Sequence, residues 1–164
     1  MGNTGVYIEL EDGVIKKTNY EVLTLARQSN QDISAVMFTD EPAKYGEDLK
    51  KYGAKTIIGV TGVAGQGYNA EVYAGCLARI VEDNDFSILL GTCSARGRDL
   101  FPRVAARFEA PLVNDCLGVD FVQSIAVKPM YAGKVIARIK VTGDRQFFTL
   151  RPNVVEISAA EAAG

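Results

Sequence analysis

The spacing of hydrophobic positions changes once along this chain, and the change divides it. Up to Phe108, short apolar runs alternate with segments whose apolar residues recur every three or four positions. The runs Val6–Leu10, Ile33–Phe38, Lys55–Gly59 and Phe86–Leu90 predict buried strands. The groups Val22, Leu25 and Ala26, then Leu49 and Tyr52, then Tyr73, Leu77, Ile80 and Val81, and finally Leu100, Val104 and Phe108 predict helices. Residues that start and stop helices agree. Thr18 to Glu21 has the form of a capping box, in which Thr18 accepts from the backbone three residues on and Glu21 reaches back. Pro42 sits near a first turn, where its missing N–H costs nothing, and Gly53 marks a stop. Strands joined through helices by short links form a parallel sheet with helices on both faces. The expected fold is therefore α/β, three layers, with a mostly parallel sheet.

After Pro111 the period falls to two. Leu112–Phe121 is mostly extended, and Ser124–Lys128 and Lys134–Thr142 flank a turn at Pro129–Gly133. Ile136, Arg138 and Lys140 alternate with Val135, Ala137, Ile139 and Val141. Gln146–Leu150 follows a Gly143-Asp144 turn. These segments predict an antiparallel β extension at the C-terminal end of the sheet. Residues 1–153 read as one domain, and 154–164, ending in small and polar residues, as a linker or disordered tail.

Composition adds exclusions. Of 164 residues, 48% are hydrophobic and 23% charged, ordinary for a globular domain large enough to bury its own core. A net charge of −2 argues against wholesale nucleic-acid binding. No apolar run approaches the roughly 20 residues of a spanning helix, and Met1–Gly5 lacks the basic and apolar regions of a signal peptide. Val6 stands where a myristoylation motif wants a hydroxyl. The expectation is a cytoplasmic protein without membrane insertion. The chain has no histidine, hence no Ser-His or Cys-His pair and none of the commonest metal ligand. No metal site is expected. Cys76, Cys93 and Cys116 are odd in number and include no CxxC, against a disulfide framework. Cys93 lies before a helix start that can lower its pKa, but has no resolving cysteine close by in sequence.

Two stretches carry candidate chemistry. Thr61–Gly67 has three glycines between a strand and a helix. Its GxxGxG spacing is neither a dinucleotide fingerprint nor a P-loop, and the flexible-loop reading is preferred to a phosphate cradle. Phe86–Pro111 reads as buried strand, polar turn and helix start. Thr92, Ser94, Arg96, Arg98 and Asp99 are the candidates there, either around an anion or as a structural corner and interface, and the second reading is favoured. Pro102 places the helix start near Arg98 or Asp99 if it occupies a first turn. Arg103 and Arg107, four apart on one helix face, are candidate interface residues. Tyr131 is either a turn aromatic packed on the sheet end or a partner contact.

Four motifs occur in order: Gly91–Arg107 with its Gly-Arg-Asp and Pro-Arg, Ala110–Asp115, Lys128-Pro-Met-Tyr-Ala-Gly-Lys134, and Thr149-Leu-Arg-Pro-Asn153. Together they resemble the N-terminal domain of the electron transfer flavoprotein alpha subunit, over nearly the whole chain. Lys128 stands where that family usually has arginine. The resemblance implies an adenine nucleotide alpha-hydrolase-like fold and a heterodimer with a beta subunit. It also implies a non-catalytic role in carrying electrons from flavin dehydrogenases to an acceptor oxidoreductase. In the family FAD is held mainly by a C-terminal domain, expected to be absent from this chain, so no FAD ligand is carried onto a residue here and none is expected on the chain alone. The family's AMP belongs to the beta subunit. The alternative is a stand-alone adenine-nucleotide-binding or -hydrolysing domain, built on Gly62–Gly67 and Thr92–Arg98.

Overall fold

A computed structural model describes residues 2–160. The strands are β1 (Asn3–Ile8), β2 (Leu10–Glu11) and β3 (Val14–Ile15), then, after helix α1 (Thr18–Ala26), β4 (Asp32–Phe38). Helix α2 (Gly46–Lys51), β5 (Thr56–Val60), α3 (Ala70–Asp83), β6 (Phe86–Thr92) and α4 (Ala95–Arg107) follow. The last part holds β7 (Leu112–Cys116), β8 (Gly118–Asp120), β9 (Ile125–Met130), β10 (Val135–Lys140) and β11 (Gln146–Leu150).

The central sheet has six strands in the order β5-β4-β1-β6-β11-β7, and every pairing is parallel. Such strands are buried on both faces and run apolar without alternation; β1 and β6 do so. One face packs Val22, Leu25 and Ala26 of α1 and Leu49 of α2 against Val6, Ile8 and Met37. The other packs Leu77 and Val81 of α3 and Leu100, Phe101 and Val104 of α4 against Tyr7, Val36 and Leu89. This is the three-layer α/β/α fold that the alternation predicts.

Gln146–Leu150 departs from expectation. It does not join the antiparallel extension but enters the central sheet between β6 and β7. Phe147, Phe148, Thr149 and Leu150 are all 0–2% exposed, so both faces of β11 are buried, which an edge hairpin could not provide. The extension is smaller, a three-stranded antiparallel sheet of order β10-β9-β8. No helix among the described residues is long and apolar enough to cross a membrane.

The capping box also departs. Lys17 is the N-cap of α1 and makes no side-chain cap. The Thr18 hydroxyl meets that of Thr92 at 3.4 Å, and the buried Glu21 carboxylate accepts from the N–H groups of Asn153, Val154 and Val155 at 3.1–3.4 Å. The first turn is closed by main-chain bonds, Asn19 N–H to Lys16 O and Tyr20 N–H to Lys17 O, which leaves both side chains free for longer reaches. Residues 154–160 form no helix or strand and run along α1, with Arg27 donating to the carbonyls of Ser158 and Ala159 at 2.7 Å. Residues 161–164 of the expected tail lie outside the described residues.

Candidate functional site

In a sheet of this kind ligands bind beyond the carboxyl ends of the strands, where the strand order reverses. Here the chain runs from β1 outward to β4 and β5, then returns to β6 on the other side. The switch lies between β1 and β6, and Glu9 and Ser94 stand at it.

Helix α4 begins earlier than Pro102 suggests. Ser94 is its N-cap, and the Ser94 hydroxyl oxygen accepts from the Gly97 N–H at 2.9 Å. Pro102 therefore lies inside the helix, not in its first turn. The carbonyl of Arg98 loses its donor, but Arg98 and Pro102 are both exposed, so water reaches that end of the bond. The early start depends on Gly97, which brings the first turn of α4 against the Thr92 carbonyl closely enough to exclude a Cβ.

The five candidates of this loop do not converge on one point. Thr92 is buried against Thr18. The Ser94 hydroxyl donates to Glu9 Oε2 at 2.6 Å, and Lys16 holds Glu9 Oε1 at 2.9 Å. Arg96 turns the other way. Its guanidinium lies over the rings of Tyr68 and Tyr73 at 5.0 and 5.9 Å. Asp99 accepts from the Tyr68 hydroxyl at 2.7 Å and from Arg103 Nε at 3.1 Å, and these bonds hold its carboxyl below the ordinary range. Arg98 points to a separate hollow with Cys93, Asn114, Asp115 and Arg151.

Arg103 and Arg107 meet Glu71 of α3 at 2.6 and 3.7 Å, which ties α4 to its neighbour. Tyr131 is 77% exposed at the tip of the β9–β10 hairpin and joins neither hydrophobic cluster of the described residues, unlike an aromatic packed against the sheet end. Cys93 and Cys116 are buried, and burial pushes the Cys116 thiol up to about 12.

Three groups escape the sequence reading. Glu9, just after β1 and inside the apolar run Val6–Leu10, is a carboxylate 4% exposed, and joins the starts of α1 and α4. Asn19 looks like the interior of a capping box but is fully buried against the backbone of Glu9. Asp115 takes both Arg151 donors, at 2.9 and 2.6 Å, while its N–H goes to the Thr149 hydroxyl. A polar residue inside an apolar run is the one available signal for Glu9. The Asp115 contacts give two motifs a shared structural role, since Thr149 and Arg151 on and just after β11 clamp the end of β7.

Hydrogen bonds from Arg151 hold the Asp115 carboxyl below its ordinary value. A depressed carboxylate adds stability above its unfolded pKa, near 3.9, and that gain is lost as pH falls through the folded value. Arg151→Met is therefore expected to melt below the wild type at pH 6–7, with the gap closing toward pH 2. Melting curves across that range check this, and a gap independent of pH would refute it.

At the carboxyl edge a cleft of about 630 Å³ lies between Leu10, Phe38–Glu41, Lys44, Ala64, Gly65, Gly67, Tyr68 and Arg96. Its size suits a small ligand, and several of its polar groups are already engaged. Asp40 Oδ1 accepts from the Gly62 N–H at 2.6 Å, Thr39 from the Glu41 N–H, and Tyr45 donates to Gly13 O. A carboxylate occupying the glycine loop's N–H would repel a phosphate there. The glycine loop, with Asp40 on its N–H, therefore does not fit the pyrophosphate of a dinucleotide such as FAD.

Comparison with known proteins gives a consistent family. The model of the electron transfer flavoprotein domain matches residues 4–164. The electron transfer flavoprotein subunit alpha of Syntrophomonas wolfei is 26% identical over 166 residues, covering 100% of this chain and 52% of that protein. That of Clostridium acetobutylicum is 29% identical over 92% of this chain and 48% of its own length. The lactate dehydrogenase (NAD(+),ferredoxin) subunit LctC of Acetobacterium woodii is 27% identical over 91% of the chain and 38% of its own length. The chain spans about half the length of the alpha subunits it matches. It belongs to the electron transfer flavoprotein domain family, and what it matches is the N-terminal domain of the alpha subunit.

Proposed function

We propose that the chain is the N-terminal scaffold domain of an electron transfer flavoprotein alpha subunit. It docks a beta subunit and an FAD-carrying C-terminal domain, and so supports electron transfer from flavin dehydrogenases to an acceptor oxidoreductase in the cytoplasm. It is not itself catalytic. Residues 1–153 form the domain and 154–164 the link onward. The loop from Thr92 to Asp99 is a structural corner, and Tyr131, Arg103 and Arg107 face partners. Arg103 and Arg107 suit this because each keeps exposed guanidinium donors beyond those spent on Glu71.

One observation carries the reading: at the switch point where a ligand would sit, the polar side chains are bonded to one another. Glu9 is spent on Lys16 and Ser94, and Asp99 on Tyr68 and Arg103. The same wiring counts against a stand-alone adenine-nucleotide domain. The purified chain is expected to be colourless, to give no heat with AMP or ATP, and to form a stoichiometric complex with its cognate beta subunit. A flavin spectrum at one FAD per chain would overturn the scaffold reading, and so would failure to bind the beta subunit.

A further inference from the structure

The β9–β10 hairpin is built unlike the rest of the chain. Met130, Tyr131, Val135 and Ile136 are 39%, 77%, 49% and 54% exposed. Val135 and Ile136 are neighbours in a strand, so they point to opposite faces. Both are nevertheless exposed, which means the tip projects beyond the body as a free two-stranded ribbon. Closer to the body, Ala126 is fully buried and Ile139 packs on the core, so the base is anchored. Bare ribbons of two strands are marginal in water, and exposed apolar clusters mark contact sites.

The turn is held in an unusual form. Tyr131, Ala132 and Gly133 are all left-handed, with φ of 50°, 54° and 84°. Gly133 N–H bonds Met130 O, and Lys134 N–H bonds Tyr131 O. A tyrosine and an alanine in that region are strained, and such strain gathers at functional positions. It presents the Tyr131 ring at the outermost point.

Charge says what the tip meets. From Ile125 to Thr142 there are four cations, Lys128, Lys134, Arg138 and Lys140, and no acid. With those four set aside, the net −2 of the chain becomes −6. None of the four forms an ion pair with an acidic group among the described residues. Lys140 donates to the carbonyl of Gln123 at the base of the hairpin, which leaves Lys128 and Arg138 along the ribbon and Lys134 at the tip without an acidic partner among the described residues.

We propose that this tip is the anchor by which the chain docks the beta subunit, entering an apolar groove rimmed by acidic side chains, with Tyr131 as the central contact. The inference rests on the scaffold reading above. Binding of the full chain to its cognate beta subunit, measured by biolayer interferometry at two salt concentrations, tests it. Tyr131→Ala is expected to weaken binding about tenfold or more, and Lys134→Glu with Arg138→Glu to weaken it further. Raising salt weakens the wild-type complex, since exposed charges are screened. Lys50→Glu on α2, at the opposite edge of the sheet, leaves binding unchanged. All variants keep the wild-type melting temperature, because the altered side chains touch no core.

If the wild type binds and the tip variants bind equally well, or Lys50→Glu is as damaging as the charge reversal, the tip is not the anchor, while the scaffold reading stands. Affinity indifferent to salt overturns the acidic rim. Failure of the wild type to bind overturns both readings. Self-association of the free chain, lost in the tip variants, would give the tip to a second copy and overturn the proposal.

Discussion

Alanine at Gly97 is expected to destabilise the chain by about 3 kcal/mol, while alanine at Gly75 stabilises it by up to about 1 kcal/mol. Both glycines lie inside helices, Gly97 in α4 and Gly75 in α3. Alanine is the better helix former at each, worth up to about 1 kcal/mol. The surroundings decide the sign. A Cβ on Gly75 meets nothing within 4 Å. A Cβ on Gly97 would stand 2.0 Å from the Thr92 carbonyl oxygen and 3.2 Å from its carbon. Backbone cannot rotate aside as a side chain can. Relief requires the first turn of α4 to lift off β6, which loosens the Ser94 cap and the burial of Leu100 and Phe101. Overpacking of this severity costs at the upper end of the usual range of roughly 1–3 kcal/mol or beyond it, so the clash outweighs the propensity gain. For a domain of this size the Gly97→Ala melting temperature should fall by roughly 6–12 °C. Thermal melts of the two variants side by side check this. Equal effects, or a stable Gly97→Ala, would show that α4 does not sit on Thr92 as described.

What the sequence reveals follows from how local its signals are. The four strand–helix units are legible because each strand is a short apolar run and each helix an apolar stripe, both read within a dozen residues. The place of β11 is not legible from order alone, since a strand near the end of the chain returns to the middle of the sheet. Its run of Phe147, Phe148 and Leu150 did carry a hint, being unlike the alternation of Val135–Val141. The capping box fails for a related reason: its local bonds compete with distant ones, and Glu21 finds three N–H groups more than 130 positions away. The start of α4 is misjudged because the proline rule gives a preference, whereas Gly97 and Thr92 impose a contact visible only in three dimensions. The motifs that identify the family are legible as strings, but the roles of their residues are not. Thr149 and Arg151 are joined to Asp115 only by strand pairing.

Leucine in place of Asn19 is expected to cost about 3 kcal/mol, although leucine is a better helix former. Asn19 is fully buried near the start of α1. Its Oδ1 accepts from the Glu9 N–H at 3.0 Å, and its Nδ2 donates to the carbonyls of Glu9 and Lys16 at 3.0 and 2.9 Å. The side-chain amide thus pairs with Glu9 as a neighbouring strand would, just where β1 ends. Both carbonyls keep another donor, Lys16 N–H and Asn19 N–H respectively. The Glu9 N–H has no such reserve and is left buried and unpaired, the expensive case. Displacement of Glu9 would also loosen its bonds to Lys16 and Ser94, and with them the corner where α1 and α4 begin. Asn19→Asp separates the two faces of the amide. It keeps the acceptor for Glu9 N–H but turns a second oxygen toward two carbonyls. A charged carboxyl there is disfavoured, so its folded pKa rises above the unfolded value near 3.9. The sign is then opposite to that of Asp115: Asn19→Asp is penalised above its raised pKa and recovers as pH falls through it. Denaturant unfolding at pH 7 and pH 5 reads both effects. Asn19→Leu should be equally destabilised at the two pH values relative to wild type, and Asn19→Asp less so at pH 5. A neutral Asn19→Leu, or an Asn19→Asp penalty that does not shrink toward pH 5, would mean that the amide does not hold the end of β1.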